Sequence, residues 1–212
     1  MKKLTKKYRK SILDIRLAIV KQFFSDNKIV LDKNIEQVVY LLYVYGFCPS
    51  MSCEGHVPPY KKVSTFRQFW PYVQIIFNNK VEFDLPKGDQ KARMRTESEL
   101  DHYKVMQRLQ HLLVEFNDTY HPFYEKHLEL NLIHTDGING APNYFEIKNS
   151  LEKHYNLHML LCDVGVQGIL MMPQELLNDD FRKKFLKRTQ RQITLFAKFL
   201  EWHFVESGIE AF

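Results

Sequence analysis

No stretch of this chain is apolar for long enough to make a membrane helix. The longest apolar runs, Val38–Val44 and Ile169–Met172, fall far short of the roughly 20 residues a span requires. An export signal is missing as well. Met1-Lys2-Lys3 is followed by Lys6, Lys7, Arg9, Lys10, Asp14 and Arg16, where the apolar core of a signal should stand. Cysteine is scarce: Cys48, Cys53 and Cys162 are odd in number and scattered, which suits a reducing, cytoplasmic setting better than a disulfide framework. Neither G-x-G-x-x-G nor G-x-x-x-x-G-K-S/T occurs, which argues against standard dinucleotide and P-loop sites, and the metalloprotease signature H-E-x-x-H is absent too. With no internal repeat and no low-complexity linker, residues 1–212 read as a single domain.

A hydrophobic fraction of 45% with 14% aromatics is ample for a packed interior. The chain needs neither disulfide nor structural metal to fold, so any metal would serve chemistry. The net charge of +5 is modest. Its distribution says more: six of the first ten residues are Lys or Arg, and Arg182–Arg191 holds six more in ten.

Apolar spacing predicts a helix from about Leu4 to Phe24, stopped by Ser25-Asp26-Asn27, and a second helix capped by Asp32 and ended by Gly46. Pro71–Phe77 reads as a core strand, 80–95 as a charged surface excursion, and Thr96–Asn117 as a helix. The alternation of Leu128, Leu130 and Leu132 predicts a strand, followed by a short helix capped by Asn143 that carries Phe145 and Ile147. Leu157–Cys162 and Val166–Met172 read as two further strands, and a long C-terminal helix opens at Pro173. The expected fold is α+β: about four mostly antiparallel strands packed by about five helices.

Chemistry concentrates in Cys48-Pro49-Ser50-Met51-Ser52-Cys53-Glu54-Gly55-His56, placed as a loop between a helix and a core strand. Gly55 would let the backbone turn so that Cys53 and His56 share one volume, where an imidazolium lowers a thiol pKa. Cys53 is then a nucleophile, with Glu54 and His56 handling protons and Asp163 aimed from a strand turn. The spacing C-x4-C-x2-H also allows Cys48, Cys53 and His56 to bind zinc, with Cys162, His134 or His158 as a fourth ligand. A third reading makes both cysteines small buried hydrophobes and His56 a turn residue. His102 and His111 are nine apart, on opposing sides of a helix. His154 and His158 share a face only if one helix holds both.

Lys61, Lys62 and Arg67 are interleaved with Tyr60, Phe66, Phe69 and Trp70, a pattern that can stack bases and hold phosphates, or simply cover the core edge. Lys183, Lys184, Lys187, Arg188 and Arg191 give the last helix a basic face suited to nucleic acid, an acidic protein partner, an anionic membrane surface or plain solvent.

Ser52-Cys53-Glu54-Gly55-His56 followed by Pro71-Tyr72-Val73 resembles a motif pair in uncharacterised bacterial and phage proteins, a resemblance that implies no activity. Ser52-Cys53 with Gly55 resembles the S-C-S-G-R stretch of the wybutosine-synthesis methyltransferase family, departing at Glu54 and His56 and covering five residues of 212. Methyl transfer is not adopted on it. The sequence thus predicts an enzyme or small-ligand-binding domain with its site at residues 52–56. The alternative is a non-enzymatic interaction protein that works through its basic helix and aromatic-basic loop.

Overall fold

The computed structural model describes residues 5–54, 72–76, 79–84, 93–98, 102–120, 128–133, 144–149 and 179–207. Helix α1, Lys6–Asp26, is started by Thr5, whose hydroxyl accepts the amide of Tyr8 at 3.3 Å. It buries Arg9, Leu13, Arg16, Val20 and Phe24, a stripe at steps of three and four. Asn27 ends it as predicted, and Lys28 follows at φ 54 so that the Ile29 amide can reach back to the Phe24 carbonyl at 3.0 Å.

Helix α2, Glu36–Val44, is buried on every side from Val38 onward, which makes it the central helix, packed on α1 and on the last helix. Asp32 does not cap it. The cap position belongs to Ile35, with no side-chain hydrogen bond, while the Asp32 carbonyl takes the amides of Ile35 and Glu36 in a preceding turn. Gly46 ends α2 at φ +85, and its Cβ position would lie 3.1 Å from the Val81 carbonyl oxygen. A side chain there meets both strain and backbone.

Residues 48–53, read as loop, form strand β1, Cys48–Cys53. It pairs antiparallel with β2, Tyr72–Ile76, from Cys48 opposite Ile76 to Cys53 opposite Tyr72, with an irregularity between Pro49 and Met51. Proline is tolerated because β1 carries a bulge and, among the described residues, is an edge strand. The sheet continues through β6, Tyr144–Asn149, to β5, Leu128–Ile133, in the order β1-β2-β6-β5, antiparallel throughout. The helix predicted to be capped by Asn143 is therefore a strand. Tyr, Phe and Ile at 144, 145 and 147 favour that outcome.

A second sheet replaces the predicted excursion. Strands β3, Asn79–Asp84, and β4, Arg93–Ser98, pair antiparallel, and the Val81 amide donates to the Gly46 carbonyl at 2.8 Å. Val81, Phe83 and Met94 pack toward the core. The other face is an ion-pair ladder in which Arg95 meets Glu82, Asp84 and Glu97, and Lys80 meets Glu82 at 2.7 Å. Hydrogen bonding from Lys80 holds the Glu82 carboxyl below its usual range.

Helix α3, His102–Tyr120, starts six residues later than the predicted Thr96 because β4 runs to Ser98. Helix α4, Asp179–Glu206, is the long C-terminal helix; its predicted start at Pro173 and the strands predicted at 157–162 and 166–172 lie outside the described residues. Phe116 of α3 meets Phe196 and Phe199 of α4 edge to face, with centroids 5.1 and 5.7 Å apart. One continuous hydrophobic cluster joins α1, α2, α3, α4 and strands β1 to β3. The chain is an α+β mixture with four helices among the described residues, fewer than the five expected.

Candidate functional site

Of the predicted site, Cys48, Cys53 and Glu54 lie among the described residues; His56, Lys61, Lys62, Arg67, Cys162 and Asp163 lie outside them. Cys48 is buried at the start of β1, and burial pushes its thiol pKa up, away from thiolate character. Cys53 stands at the far end of the same strand. Five residues of extended chain separate their α-carbons by about 16 Å, beyond the reach of two thiolates sharing one ion with Zn–S bonds of about 2.3 Å. No group of three or more His, Cys, Asp or Glu among the described residues is placed to hold a metal.

Glu54 acts as a strap. Its Oε2 accepts both the backbone amide and the side-chain amide of Asn34 at 2.9 Å, and its own amide donates to Asp32 Oδ2 at 3.0 Å. Its carbonyl accepts Gln190 Nε2 of α4 at 2.9 Å. One residue thus ties the end of β1 to the α1–α2 connection and to α4, which gives Glu54 a structural role at this junction.

A different set of groups converges where α2, α3 and α4 meet. A cleft of about 580 Å³ is lined by Tyr45, Gln107, Arg108, His111, Leu112, Glu115, His203 and Ser207. His203 is only 4% exposed. Its Nε2 lies 3.1 Å from Glu115 Oε2, and its Nδ1 lies 3.0 Å from the Tyr45 hydroxyl, which is also 2.8 Å from the Leu200 carbonyl oxygen. Desolvation lowers the His203 pKa, with the Glu115 carboxylate opposing that shift and His111 adding to it. The imidazole is therefore neutral at neutral pH. Its Nε2–H donates to Glu115, and Nδ1 is the acceptor. Burial also pushes the Tyr45 phenol pKa well up, so Tyr45 is a hydroxyl and never a phenolate here.

Ser207 Oγ lies 3.4 Å from His203 Nδ1, which superficially completes a Glu–His–Ser set. Three features oppose a nucleophilic role. The serine proton is directed at the His203 carbonyl, 2.5 Å away; Nδ1 is already held by Tyr45; and Ser207 follows the C-terminus of α4, whose partial negative charge disfavours an oxyanion.

Two helix C-termini approach this region, and three arginines neutralise them. Arg16 Nη1 donates to the Val44 carbonyl at 3.1 Å and Arg108 Nη2 to the Tyr45 carbonyl at 2.8 Å, both at the end of α2; Arg9 Nη1 donates to the Glu206 carbonyl at 2.9 Å at the end of α4. Arg9 and Arg16 are buried and held by carbonyls rather than carboxylates. Capping the helix dipoles explains their presence in an apolar stripe.

No protein family, curated protein or solved structure matches this chain.

Sequence reasoning missed the cleft because its groups come from positions 45, 107–115 and 203–207. One signal was present: the apolar stripe of α4, read as far as Leu200, continues at the same spacing through His203. His111 and Glu115 are also one helical turn apart on α3. The predicted basic face does exist on α4. Lys183, Lys184, Lys187 and Arg191 are exposed, and these four fall within about 100° of the helix circumference at 100° per residue. The basic start of α1 does not extend this patch. Arg9 and Lys6 contact Glu206 at the opposite end of α4, about 28 Å from residue 187 at 1.5 Å per residue.

Proposed function

We propose that this chain is a small-ligand-binding domain of enzymatic type, with its site in the cleft between α3 and the end of α4 rather than at residues 52–56. His203 is its acid–base group. The observation that carries the reading is the buried imidazole bracketed by Glu115 on one nitrogen and Tyr45 on the other, opening on a cleft of about 580 Å³. A volume of that size suits a small organic molecule. A carboxylate-oriented histidine with a perturbed pKa is the usual means of moving a proton near neutral pH.

The test is a titration of isotope-labelled protein with a panel of small amines, carboxylates and nucleosides, following the ring signals of His203 and His111. Saturable shifts at both rings, lost in His203→Gln and retained in Cys53→Ser, support the cleft. Saturable binding that leaves both rings unmoved and is lost in Cys53→Ser would return the site to residues 52–56.

A second reading is favoured by the exposed row of Lys183, Lys184, Lys187 and Arg191: a surface that binds polyanions such as nucleic acid. It predicts salt-dependent retention of single-stranded oligonucleotide that falls sharply in the Lys187→Glu/Arg191→Glu variant. Retention that is insensitive to salt and to these changes removes this reading.

A further inference from the structure

Each polar contact around His203 has to be supplied by a definite proton, and Tyr45 has one proton for two acceptors. Its oxygen lies 2.8 Å from the Leu200 carbonyl and 3.0 Å from His203 Nδ1. With His203 neutral and protonated on Nε2, the Tyr45 hydroxyl must point at Nδ1, because a lone pair there would otherwise be buried without a donor. The Leu200 carbonyl can spare it, since a residue inside an α-helix already receives the amide four residues on. Once Nδ1 takes up a proton, the imidazolium becomes a donor on both nitrogens. The same hydroxyl then turns to Leu200 and offers its oxygen lone pair to Nδ1–H. Glu115 accepts from Nε2–H in both states.

Resting on the cleft reading, we propose that Tyr45 is a positioning residue that lets His203 take up and release a proton on Nδ1 without leaving any buried group unpaired. The proton arrives at Nδ1 and leaves from it; no other bond forms or breaks. The surroundings bear on the charged state from every side. From α3 come the Glu115 carboxylate, His111 and Arg108; from α2 comes Tyr45; from α1 come Arg16, whose guanidinium stands 5.8 Å from the Phe204 ring, and Arg9 on the Glu206 carbonyl; α4 itself supplies Ser207 and Glu206. The three arginines are spent on helix ends, so Glu115 and the Tyr45 oxygen are the groups that move between roles or bear directly on the ring.

The experiment is a histidine-selective NMR titration, read on the ring nitrogens, in wild type, Tyr45→Phe and Ser207→Ala. Wild type should show a neutral His203 with its proton on Nε2 well above the usual histidine range of about 6.5. A hydrogen bond from a charged donor is worth about twice one to a neutral ring. Tyr45→Phe should therefore lower the His203 pKa by roughly one unit, about tenfold in proton affinity, while Ser207→Ala leaves it in place. A Tyr45→Phe ring that stays neutral down to the onset of acid unfolding also supports the proposal. A wild-type ring protonated on Nδ1, or a Tyr45→Phe ring that titrates at or above the wild-type pH, overturns it. If Tyr45→Phe does not fold, the wild-type tautomer decides alone. None of these outcomes depends on a ligand being found, so failure here leaves the ligand titration to judge the cleft separately.

Discussion

Replacing Arg16 by Met tests whether the buried arginines are held for their charge or for the carbonyls they cap. Arg16 is 6% exposed; its guanidinium lies 4.9 Å from the Phe83 ring and 5.8 Å from Phe204, with Nη1 on the Val44 carbonyl and Nε without a partner. On the favourable side stand a charge-assisted hydrogen bond of about 1.5–3 kcal/mol, a helix-dipole contribution of about 0.3–1 kcal/mol and cation–π attraction of about 1–2 kcal/mol. Against them stands desolvation of the guanidinium, several kcal/mol in effect, the same burial that lowers its pKa. The two sides nearly cancel, so the charge alone adds little stability. What Arg16→Met removes without substitute is the donor to a buried carbonyl, while the methionine stem fills most of the vacated path. The expected loss is about 1–3 kcal/mol, read as a urea midpoint lower by roughly 0.5–1.5 M at an unchanged slope. Arg16→Lys should not rescue it, because a compact ammonium cannot lie flat between the rings and also reach Val44. An Arg16→Met protein as stable as wild type, or more so, would show that the Val44 carbonyl does not depend on Arg16 and would refute the capping argument.

Stability should also fall with acid through His203. Its folded pKa is depressed by burial, so the unfolded chain binds the proton first; the contribution is complete above about pH 6.5 and is lost as pH drops through the folded pKa, with a slope of at most about 1.4 kcal/mol per pH unit. The difference in urea midpoint between wild type and His203→Gln isolates this effect, and parallel curves from about pH 7.5 to 5 would contradict it. Lys28 at φ 54 occupies a conformation that glycine adopts freely, so Lys28→Gly should raise Tm by about 1–3 °C in a thermal melt. Glu54→Ala removes the acceptor for two Asn34 donors and should destabilise by about 1–2 kcal/mol, whereas Glu54→Gln keeps an acceptor and should lose less than half of that. If Glu54→Gln kept full stability but abolished ligand-induced shifts, the strap would have to yield to a chemical role.

The helices were legible because their apolar stripes are long: α1 was placed within two residues at each end, and Asn27 stopped it as read. The strands were legible where alternation was uninterrupted, as at Leu128–Ile133, or where β-branched and aromatic residues run together, as at Tyr72–Ile76. In β3 and β4, alternation was present in Val81 and Phe83, but charges on the outer face lent the segment the composition of a loop. Pro49 and the small polar residues of 48–53 likewise suggested a loop, and the bulge in β1 with its edge position among the described residues makes that strand tolerable. Among the candidate site residues, the concentration of reactive side chains in 48–56 drew the reading to one segment. The cleft instead joins single residues 158 positions apart. No local pattern encodes such a meeting.

Whether the Tyr45–His203 pair stabilises the fold or serves the cleft can be separated by a double-mutant cycle. His203→Leu leaves the Tyr45 hydroxyl on the Leu200 carbonyl and frees Glu115, which is 37% exposed, to turn to water; no buried group is stranded. Tyr45→Phe in the wild-type background leaves the Nδ1 lone pair buried without a donor, at a cost of about 1–3 kcal/mol. In the His203→Leu background the same change removes one hydroxyl whose acceptor keeps its helical amide, so it should be nearly neutral. The expected coupling is about 1–2 kcal/mol, with the double variant within about 1 kcal/mol of wild type, as is common when a buried polar pair is replaced by apolar groups of similar size. A polar pair that can be removed together at so little loss is not held in place by stability, and proton handling in the cleft is then the remaining physical reason for its position. Strictly additive losses in the double variant would assign the pair to the fold and remove that reason.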